Sequence, residues 1–568
     1  MQKVYFPYGI SNIEQLITQK YVFVDKTNFL PELEYEKFSY FLRPRKFGKS
    51  LFLSVLEYYY DVSQKDKFEA IFGNTYIGKN PTPLANSFRI LKFDFSGIDT
   101  RTLEDIEENF TNSVKAQVEG FLDVYGLFSL SERERILTQK NAGDNLKQLF
   151  QKYRTEKLAI YILIDEYDHF TNEILTRSLK EFRDAVAKNG YVRKFYENIK
   201  IATQSGIVDR FFITGVSPMT LDGFTSGFNI ATQLSHHYLF HNMMGFTHEE
   251  VAALLELVLV DKDNKEKVMQ DLRDWYNGYQ FSLGVEEKIY NANMVLYFLK
   301  DFQPFQKYPR QMLDGNIHPD YGKLKAMFEV ANYQNNLEVL QEILEKGELT
   351  DDPIYQFNFE SPFGRTEFVN FLYYLGNLTF KSEGAHGVGA IYQIPNYVIA
   401  ELYWKYYAHI LQNRLDFAFE EVNIKQIIYA LLDSNEKPFL ELIEQSLKAL
   451  SNRDFQRFDE KHIKMLIIAY ATMGNAFYVL SERETQQGGY TDIELWKRPG
   501  NTKTHTEYIF EVKYIKKEEE NTFEAVKEKA LTQLKGYLQD KVLLEKPLLR
   551  AFVLIFVKDS LFVEELIA

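Results

Sequence analysis

The sequence contains no cysteine among its 568 residues. Disulfide bonds and thiolate metal sites are therefore excluded, and a reducing compartment is favoured. No uninterrupted apolar run reaches the length of about 18 residues that a membrane-spanning helix needs. The opening residues, MQKVYFPYGISNIEQL, do not show the basic and then apolar order of a signal peptide. We therefore expect a cytoplasmic protein that has no membrane partner.

Basic residues are fewer than acidic ones. The chain has 66 Lys and Arg residues and 80 Asp and Glu residues, which gives a formal net charge of −14. Nucleic-acid-binding domains usually present a basic surface, so this balance counts against constitutive DNA binding. A local basic cleft or a bound metal ion would offset it. Hydrophobic residues make up 45% of the chain, which excludes wholesale disorder. The length predicts roughly two to four domains.

Hydrophobic periodicity divides the chain into three regions. In residues 1–290, short β-rich runs such as FSYFLRP, RILKFDFSG, LAIYILIDEYD and RFFITGV alternate with helical segments. This order predicts an α/β fold built on a parallel sheet. Residues 291–455 look mostly helical, as in LEVLQEILEKGEL and TEFVNFLYYLGNL. Residues 456–568 return to mixed helices and strands, so we expect a second α/β domain there.

A loop ending in Gly48, Lys49 and Ser50 follows the strand-like run FSYFL and precedes the helical run LFLSVLEYYY. Strand, glycine-containing loop and helix form the context of a phosphate-binding loop, where N–H groups and the helix dipole favour anions. Lys49 would reach the β- and γ-phosphates, and Ser50 would bind Mg²⁺. Arg43 stands where this motif has its first glycine, and Pro44 stiffens the loop. The alternative is an ordinary helix N-terminus that carries a lysine.

A second apolar run, 160–164, ends in Asp165 and Glu166. In a Walker-B strand the first acid holds Mg²⁺ through water and the second polarises the attacking water. Asp165 and Glu166 would take these two roles, unless they simply end a strand at a solvated loop. A third run, RFFITGVSP, carries Thr214 and Ser217, which would either sense the γ-phosphate or belong to an ordinary buried strand. Together these runs predict a nucleotide site.

Near the other end of the chain, Asp492 follows a Gly-Gly turn, and Glu511 and Lys513 lie two residues apart on a strand-like run. Side chains alternate along a strand, so Glu511 and Lys513 share a face and Val512 turns into the core. We expect Asp492 and Glu511 to bind Mg²⁺, or Mn²⁺, and Lys513 to position water or stabilise a phosphate. The alternative is a solvated ion pair on an edge strand.

Several neighbours could complete this site. Glu482 and Glu484 share one face of the preceding strand, and Glu484 is favoured because it lies nearer the Gly-Gly turn. Gln533 and Tyr537 are four residues apart and share one face of a later helix. Two weaker signals favour a structural role. Residues 275–279 form a packed aromatic turn, with a base-stacking platform as the alternative. Four histidines lack the carboxylate spacing of a zinc site, namely His236, His237, His241 and His248.

Six segments occur in an order that resembles the AAA-ATPase-like family of bacterial proteins: FPYGISNIEQLITQKYVFVDKTNFL, FLRPRKFGKSLFLSVLEYYYD, IDEYD, FITGVSPM, WYNGYQF and IYNANMVLYFL. That family typically has RPR-x-FGK[ST] as its phosphate loop and usually carries a C-terminal PD-(D/E)XK nuclease-superfamily domain. The resemblance implies a P-loop, AAA-like parallel α/β domain, a helical middle region and a nuclease-like α/β domain.

The resemblance also implies residue roles. ATP would be held by the loop residues Arg45, Lys46, Phe47, Gly48, Lys49 and Ser50 together with Asp165, and Glu166 would act in hydrolysis. The segment YVFVDKT, with Tyr21, Asp25, Lys26 and Thr27, would pack beside the nucleotide. In the C-terminal domain Gln533 would lie beside the active site formed by Asp492, Glu511, Lys513 and Glu484. Glu460 would be a further ligand.

These expectations lead to three hypotheses. The first is an ATP-gated, metal-dependent nuclease that acts on nucleic acid, DNA in preference to RNA, in bacterial defence or mobile-element biology. The second is an ATP-dependent interaction switch whose nuclease fold binds without cutting. The third, an ATPase motor, ranks last because no arginine-finger motif can be placed from the sequence. A homo-oligomer is left open.

Overall fold

We describe the fold from a computed structural model, which covers residues 3–102, 105–186, 190–218, 220, 228–314, 327–328, 333–357, 363–414, 421–448, 459–473, 476–486, 488–498 and 505–566. The chain forms two compact units. The first comprises Met1–Lys307, Leu313–Ile343 and Gly347–Tyr397, and the second comprises Tyr308–Met312, Leu344–Lys346 and Val398–Ala568. This division passes through the predicted middle region, and the domain boundaries near 290 and 455 stay predictions.

A parallel sheet lies at the centre of the first unit, as the apolar runs predict. Its strands follow the order β2-β3-β4-β1-β5, and all pairs are parallel. Every residue of β3 is buried, as expected for a parallel sheet covered on both faces. The strands are β1 (Phe38–Leu42), β2 (Arg89–Asp94), β3 (Ile160–Asp165), β4 (Val208–Gly215) and β5 (Thr232–Gln233).

Helices connect and cover these strands. The helix after β1 contributes Phe52, Leu53 and Leu56 to a core that also contains Phe41 and Phe212 of the sheet. The helices up to residue 305 are α1 (Ile13–Thr18), α2 (Leu30–Leu33), α3 (Lys49–Tyr60), α4 (Phe68–Phe72), α5 (Tyr76–Lys79), α6 (Ile106–Val124), α7 (Leu130–Leu137), α8 (Ala142–Tyr153), α9 (His169–Arg177), α10 (Leu179–Val186), α11 (Tyr191–Gln204), α12 (His248–Glu256), α13 (Lys265–Tyr276) and α14 (Ala292–Phe305).

The predicted helical middle is confirmed, and it also contains a small sheet that the periodicity did not indicate. Helices α15 (Tyr333–Lys346) and α16 (Arg365–Tyr374) match the predicted helical runs. Between and after them lie β6 (Glu348–Asp351), β7 (Thr379–Glu383) and β8 (Ala390–Gln393), which pair antiparallel in the order β6-β8-β7. Strands of four or five residues are too short to show a clear two-residue period.

The second unit carries a mixed five-stranded sheet in the order β13-β12-β11-β10-β9. Strands β11 and β12 are parallel, and the other pairs are antiparallel. Its elements are α17 (Tyr397–Arg414), α18 (Glu421–Leu432), α19 (Lys437–Lys448), α20 (Glu460–Met473), β9 (Phe477–Glu484), β10 (Tyr490–Lys497), β11 (Glu507–Ile515), α21 (Phe523–Tyr537), α22 (Lys541–Leu544), β12 (Leu549–Val557) and β13 (Ser560–Leu566).

Two cores sandwich this sheet and fix the direction of the side chains on β11. Val512 packs with residues of α18, α19 and α20 on one face. Ile509 and Ile515 pack with residues of α21 on the other face. Because side chains alternate along a strand, Glu511 and Lys513 project on the same face as Ile509 and Ile515. Among the described residues, no helix has the length and apolarity that crossing a membrane requires.

Candidate functional site

The loop between β1 and α3 turns sharply at Gly48, which is the N-cap of α3 and has φ of +98°. This left-handed conformation favours glycine, because a side chain would clash with the backbone. Lys46 in the same loop also has a positive φ, of +71°. An α-helix leaves its first N–H groups without intrahelical partners. The loop therefore presents the start of α3 to the space beside the sheet, as an anion site requires.

A cavity of about 470 Å³ lies at this edge of the sheet. Ligand pockets for small molecules typically have about 300–1,000 Å³, so a nucleotide is of suitable size. The phosphate loop, from Arg45 to Ser50, and the acids Asp165 and Glu166 form its polar wall. The remaining wall includes apolar residues: Val22, Phe23, Val24, Met243, Met244, Phe246, Leu254 and Leu296.

Lys49 is held at the base of the loop. Its Nζ donates to the carbonyl oxygens of Arg43 and Pro44, each at 3.2 Å, and lies 3.6 Å from Glu166 Oε1. Only 3% of its side chain is exposed. A buried ammonium with one carboxylate nearby supplies positive charge where the loop would hold phosphates.

Ser50 and Asp165 both line this cavity. Interaction with the Ser50 side chain limits the rise in the pKa of Asp165 that burial chiefly causes. A hydroxyl at the start of a helix and a carboxylate at the end of a buried strand match the pair of oxygens that holds a nucleotide-bound Mg²⁺. The structure thus brings together the two residues predicted for that ion.

Glu166 lies among positive charges. Burial alone would raise its pKa, but Lys49, Arg45 and His169 outweigh burial and lower the pKa below the ordinary value. Arg45 Nη2 lies 3.1 Å from His169 Nδ1, and both residues line the cavity. Glu166 is therefore an ionised carboxylate beside the phosphate loop, as a residue that polarises water must be.

Arg43 does not line this cavity. Its side chain is buried between the rings of Phe41 and Phe281, with its guanidinium carbon 4.2 Å and 3.9 Å from their centroids. Burial lowers its pKa to about 9. Its guanidinium donates to four backbone carbonyls, those of Leu42, Ser235, Phe240 and His241. Arg43 thus supports the loop from beneath and does not contact the cavity.

Thr214 and Ser217 also face away from the cavity. Both are fully buried, and the Thr214 hydroxyl donates to the carbonyl of Phe41 at 3.0 Å. Neither residue lines the cavity. This placement supports the alternative of an ordinary buried strand over that of a γ-phosphate sensor.

Asp168 holds the end of β4, a role that no motif in the sequence indicates. Its carboxylate accepts the N–H groups of Val216 at 3.0 Å and Ser217 at 2.7 Å, and the side-chain amide of Asn172 at 2.7 Å. Burial, assisted by the charge of Glu166, raises its pKa to about 6. Val216 and Ser217 lie 48 and 49 positions away, so no local pattern could reveal these two contacts.

In the second unit, Asp492, Glu511 and Lys513 lie together. Lys513 Nζ is 2.8 Å from Glu511 Oε1 and 3.4 Å from Asp492 Oδ2. Asp492 Oδ2 also accepts the N–H of Val512 at 2.8 Å. Glu460 joins from α20, with Oε1 3.6 Å from Lys513 Nζ. We call Asp492, Glu511, Lys513 and Glu460 the carboxylate–lysine cluster.

The charges of this cluster depend on one another. Burial and then the Asp492 charge raise the pKa of Glu511 to about 7. The surrounding carboxylates outweigh burial and raise the pKa of Lys513, which therefore stays protonated. Glu511 is only 2% exposed, and its Oε2 has no hydrogen-bond partner among the described residues. A buried acceptor without a donor is costly unless a further group satisfies it.

The donor set fits a magnesium ion. Mg²⁺ is usually held by one or two carboxylates, with water and phosphate oxygens as its other ligands. Asp492 and Glu511 supply two carboxylates, and Glu511 Oε2 lacks a hydrogen-bond partner in the described part of the chain. Among the described residues, no group of three or more His, Asp or Glu side chains is placed to hold a metal ion by itself. The two carboxylates would therefore hold an ion whose other ligands come from water and substrate.

The other residues predicted beside this site have surroundings that differ from one another. Glu484 is exposed at the end of β9, whereas Glu482 forms a salt bridge of 2.5 Å with Lys464 of α20. Gln533 has a buried Oε1 without a hydrogen-bond partner among the described residues. Burial, and then the charges of Glu511 and Asp492, raise the pKa of Tyr537.

Comparisons with known proteins address the two ends of the chain. The family described as a predicted AAA-ATPase matches residues 7–225, and the PD-(D/E)XK nuclease superfamily matches residues 458–566. The chain combines an AAA-ATPase-like domain with a PD-(D/E)XK nuclease-superfamily domain. The two matches contain the phosphate loop and the carboxylate–lysine cluster, respectively.

One similar curated protein is an uncharacterized protein in the vnfD 5′ region of Azotobacter chroococcum mcd 1, which is 27% identical over 316 residues. The match spans 54% of this chain and 54% of that relative, so the chain covers about half of the relative's length. Among solved structures, a Walker-type ATPase of Pyrococcus abyssi shares 10% identity with a TM-score of 0.39, covering 71% of this chain and 99% of its own.

The Orc1 protein of Aeropyrum pernix, in complex with DNA, shares 11% identity with a TM-score of 0.25, covering 71% of this chain and 95% of its own. We draw nothing about the sites from either structure, because both TM-scores are below 0.5.

The packing of the first unit accounts for the weaker signals. Trp275, Tyr276 and Tyr279 are buried, and the Tyr279 ring packs 4.9 Å from the Phe47 ring of the phosphate loop. The histidines occupy separate places: His236 Nδ1 lies 2.9 Å from the carbonyl of Phe281, and His241 Nε2 lies 2.8 Å from that of Glu287. The aromatic turn, His236 and His241 therefore belong to the packing of the first unit.

The nuclease-superfamily domain contains one close contact that sequence reasoning missed. Lys464 Nζ lies 2.7 Å from Asp492 Oδ1. Only its position four residues after Glu460, on the same helix face, could have pointed to it.

Proposed function

We propose that this chain is a nucleotide-regulated, metal-dependent nuclease that hydrolyses phosphodiester bonds, in DNA in preference to RNA. One observation carries the proposal. Glu511 Oε2 is buried without a hydrogen-bond partner among the described residues, beside a second carboxylate and a protonated lysine. Such a group favours a divalent cation next to a phosphate.

The N-terminal half of the proposal is ATP binding. The cavity, the start of α3 and buried Lys49 support a bound triphosphate, with Ser50 and Asp165 holding its Mg²⁺. Ionised Glu166 would orient the water that attacks the γ-phosphate. Hydrolysis of the bound ATP at this site is part of the proposal.

The C-terminal half is hydrolysis at the carboxylate–lysine cluster. A divalent ion bound by Asp492 and Glu511 would polarise the phosphate and lower the pKa of a bound water. Lys513, 2.8 Å from Glu511, would hold the water in line or stabilise charge on the phosphate. Gln533, whose buried oxygen has no hydrogen-bond partner in the part of the chain that the structure describes, would orient the same water or the metal ligands.

A substrate panel tests this proposal. The full chain is incubated with supercoiled plasmid, linear duplex, single-stranded DNA and RNA, each with Mg²⁺, Mn²⁺ or EDTA. We expect cleavage that requires metal and is lost in Glu511→Gln, which keeps the size of the side chain but removes its charge. Cleavage that persists in EDTA, or in Glu511→Gln at the wild-type rate, would remove the proposed mechanism.

A second candidate function is a nucleotide-dependent switch whose nuclease fold binds nucleic acid without cutting it. The position of Lys464 favours it, because an ammonium 2.7 Å from Asp492 Oδ1 occupies an oxygen that a metal ion would use. Retained nucleic-acid binding without cleavage, across all metals and substrates of the panel, would support this candidate.

A further inference from the structure

Lys464 reaches into the carboxylate–lysine cluster from α20. Its Nζ lies 2.7 Å from Asp492 Oδ1, 2.5 Å from Glu482 Oε1 and 3.9 Å from Glu460 Oε1. Only 12% of its side chain is exposed. Lys464 is thus a second ammonium in a site where Lys513 already faces the other side of the same aspartate.

The two oxygens of Asp492 have different partners. Oδ2 accepts the N–H of Val512 at 2.8 Å and lies 3.4 Å from Lys513 Nζ. Oδ1 is therefore the oxygen left for a metal ion, and its close contact is Lys464. An ammonium and a divalent ion on one oxygen repel each other strongly when partly shielded from water. A metal ion can bind Asp492 Oδ1 well only if Lys464 withdraws.

Glu482 offers Lys464 another partner. It lies across the β9–β10 pair from Asp492, between the register pairs Thr491–Arg483 and Ile493–Ser481. Its side chain is 51% exposed, in contrast to 9% for Asp492. An ammonium that leaves Asp492 can therefore remain paired with Glu482 at the rim of the site.

We propose that Lys464 is a tethered counter-ion, which a divalent ion must displace from Asp492 and which Glu482 then retains. This inference rests on the proposed metal-dependent function and adds a residue that sets the metal concentration the site requires. Without metal, Lys464 and Lys513 together neutralise the gathered carboxylates. With metal, Lys464 gives up its place on Asp492.

Titration calorimetry with Mn²⁺ alone, on the full chain without nucleotide, tests this role. We expect Lys464→Met to bind Mn²⁺ about tenfold more tightly than the wild type, because the competing charge is gone. Lys461→Met is the matched control: the same charge is removed from an exposed position on the same helix. It should change the dissociation constant by less than about twofold.

Glu482→Gln is an independent test of the counter-ion role of Lys464. It remains decisive if Lys464→Met does not fold. Without this partner Lys464 stays on Asp492, so Mn²⁺ binding should weaken about fivefold, at a fixed ionic strength. Glu484→Gln, which removes the same charge two residues away, should weaken binding less. Thermal unfolding of each variant establishes that it is folded.

Two kinds of failure are distinguishable. If Mn²⁺ binding is unchanged or weaker in Lys464→Met, or is as tight in Glu482→Gln as in the wild type, the counter-ion role is overturned. If the wild type does not bind Mn²⁺, or if Asp492→Asn does not abolish the binding, the proposed metal site is wrong. The inference about Lys464 then fails with it.

Discussion

Arg43 and Arg45 are two residues apart in the phosphate loop, yet they lie in opposite environments. Arg43 is 1% exposed, stacks between two phenylalanine rings and donates to backbone carbonyls. Arg45 lines the cavity and contacts His169. One arginine therefore belongs to the packing beneath the loop, and the other belongs to the nucleotide site.

This difference predicts opposite outcomes for the same substitution. Arg43→Ala should lower the free energy of unfolding of the first unit by about 2–4 kcal/mol, because it removes ring stacking and leaves buried carbonyls without a donor. Arg45→Ala should change it by less than about 1 kcal/mol but weaken binding of a fluorescent ATP analogue. Thermal unfolding and nucleotide titration of both variants check this. Equal losses of stability would contradict the assignment.

Asp168 predicts a pH dependence of stability. Its pKa is about 6 in the folded chain against 3.8 as the ordinary value, so the folded state favours the protonated form. The stabilising contribution is complete below pH of about 3.8 and is lost as the pH rises through about 6, by roughly 3 kcal/mol in total.

Between pH 5 and pH 7.5, the wild type should therefore lose roughly 1 kcal/mol of stability relative to Asp168→Asn, which cannot ionise. Thermal unfolding of both proteins across this range measures the difference. Parallel curves for the two proteins would show that Asp168 does not titrate in this way.

At the scale of elements, long or strongly apolar segments were predictable. The runs that form β1 to β4, β9 to β12, α20 and α21 are short apolar, β-rich stretches or segments with a helical period. Strand β5 has two residues and β6 to β8 have four or five, and strand β13 carries exposed and half-buried positions without a strong apolar pattern. Tertiary pairing, and not local preference, determines these strands.

The same reasoning explains which parts of the site were predictable. Glu511 and Lys513 share a face because of the two-residue period, which the sequence shows directly. Lys464 lies 28 positions from Asp492, its partner, and Asp168 lies 48 positions from the Val216 N–H. No local pattern encodes such contacts, so only the fold revealed these two residues. Distance to the Gly-Gly turn favours Glu484 over Glu482, whereas in the structure Glu482 contacts Lys464.

The aromatic turn at 275–279 gives a prediction at this scale. Gly278 has φ of +99°, and an added Cβ would lie 1.8 Å from the carbonyl oxygen of Pro395. Gly284 has φ of +84° with nothing within 4 Å of such a Cβ. Both substitutions to alanine incur left-handed strain of about 1 kcal/mol, but only Gly278→Ala also creates a clash.

We expect Gly278→Ala to lower the free energy of unfolding by at least about 2 kcal/mol more than Gly284→Ala does. Nucleotide affinity should also fall, because Tyr279 of this turn packs on Phe47 of the phosphate loop. Comparing the thermal unfolding of Gly278→Ala and Gly284→Ala separates the effect of the clash from that of the backbone strain. Equal stability of the two variants would show that the turn accommodates a side chain.

At the scale of the whole molecule, the two candidate sites lie in separate compact units of one chain. The proposed control of one site by the ligand of the other requires a difference in free energy between two states. Nucleotide regulation therefore predicts that the rate of cleavage differs with and without ATP. A substitution at the nucleotide site tests this prediction.

Lys49→Ala should remove the influence of ATP on cleavage, so that the rates with and without ATP become equal. The reason is that buried Lys49 supplies the charge for the phosphates. Lys65→Ala, at an exposed position of the same unit, is the control and should respond to ATP like the wild type. A full ATP response in Lys49→Ala would contradict nucleotide control through this cavity.

The most direct test of the central claim is the initial rate of plasmid cleavage in Mg²⁺, with and without ATP, for the wild type, Lys513→Ala and Lys516→Ala. Lys513 lies in the carboxylate–lysine cluster, whereas Lys516 is exposed three residues later. We predict metal-dependent cleavage by the wild type and Lys516→Ala, and a loss of at least about 100-fold in Lys513→Ala. Cleavage by Lys513→Ala at the wild-type rate would contradict the account.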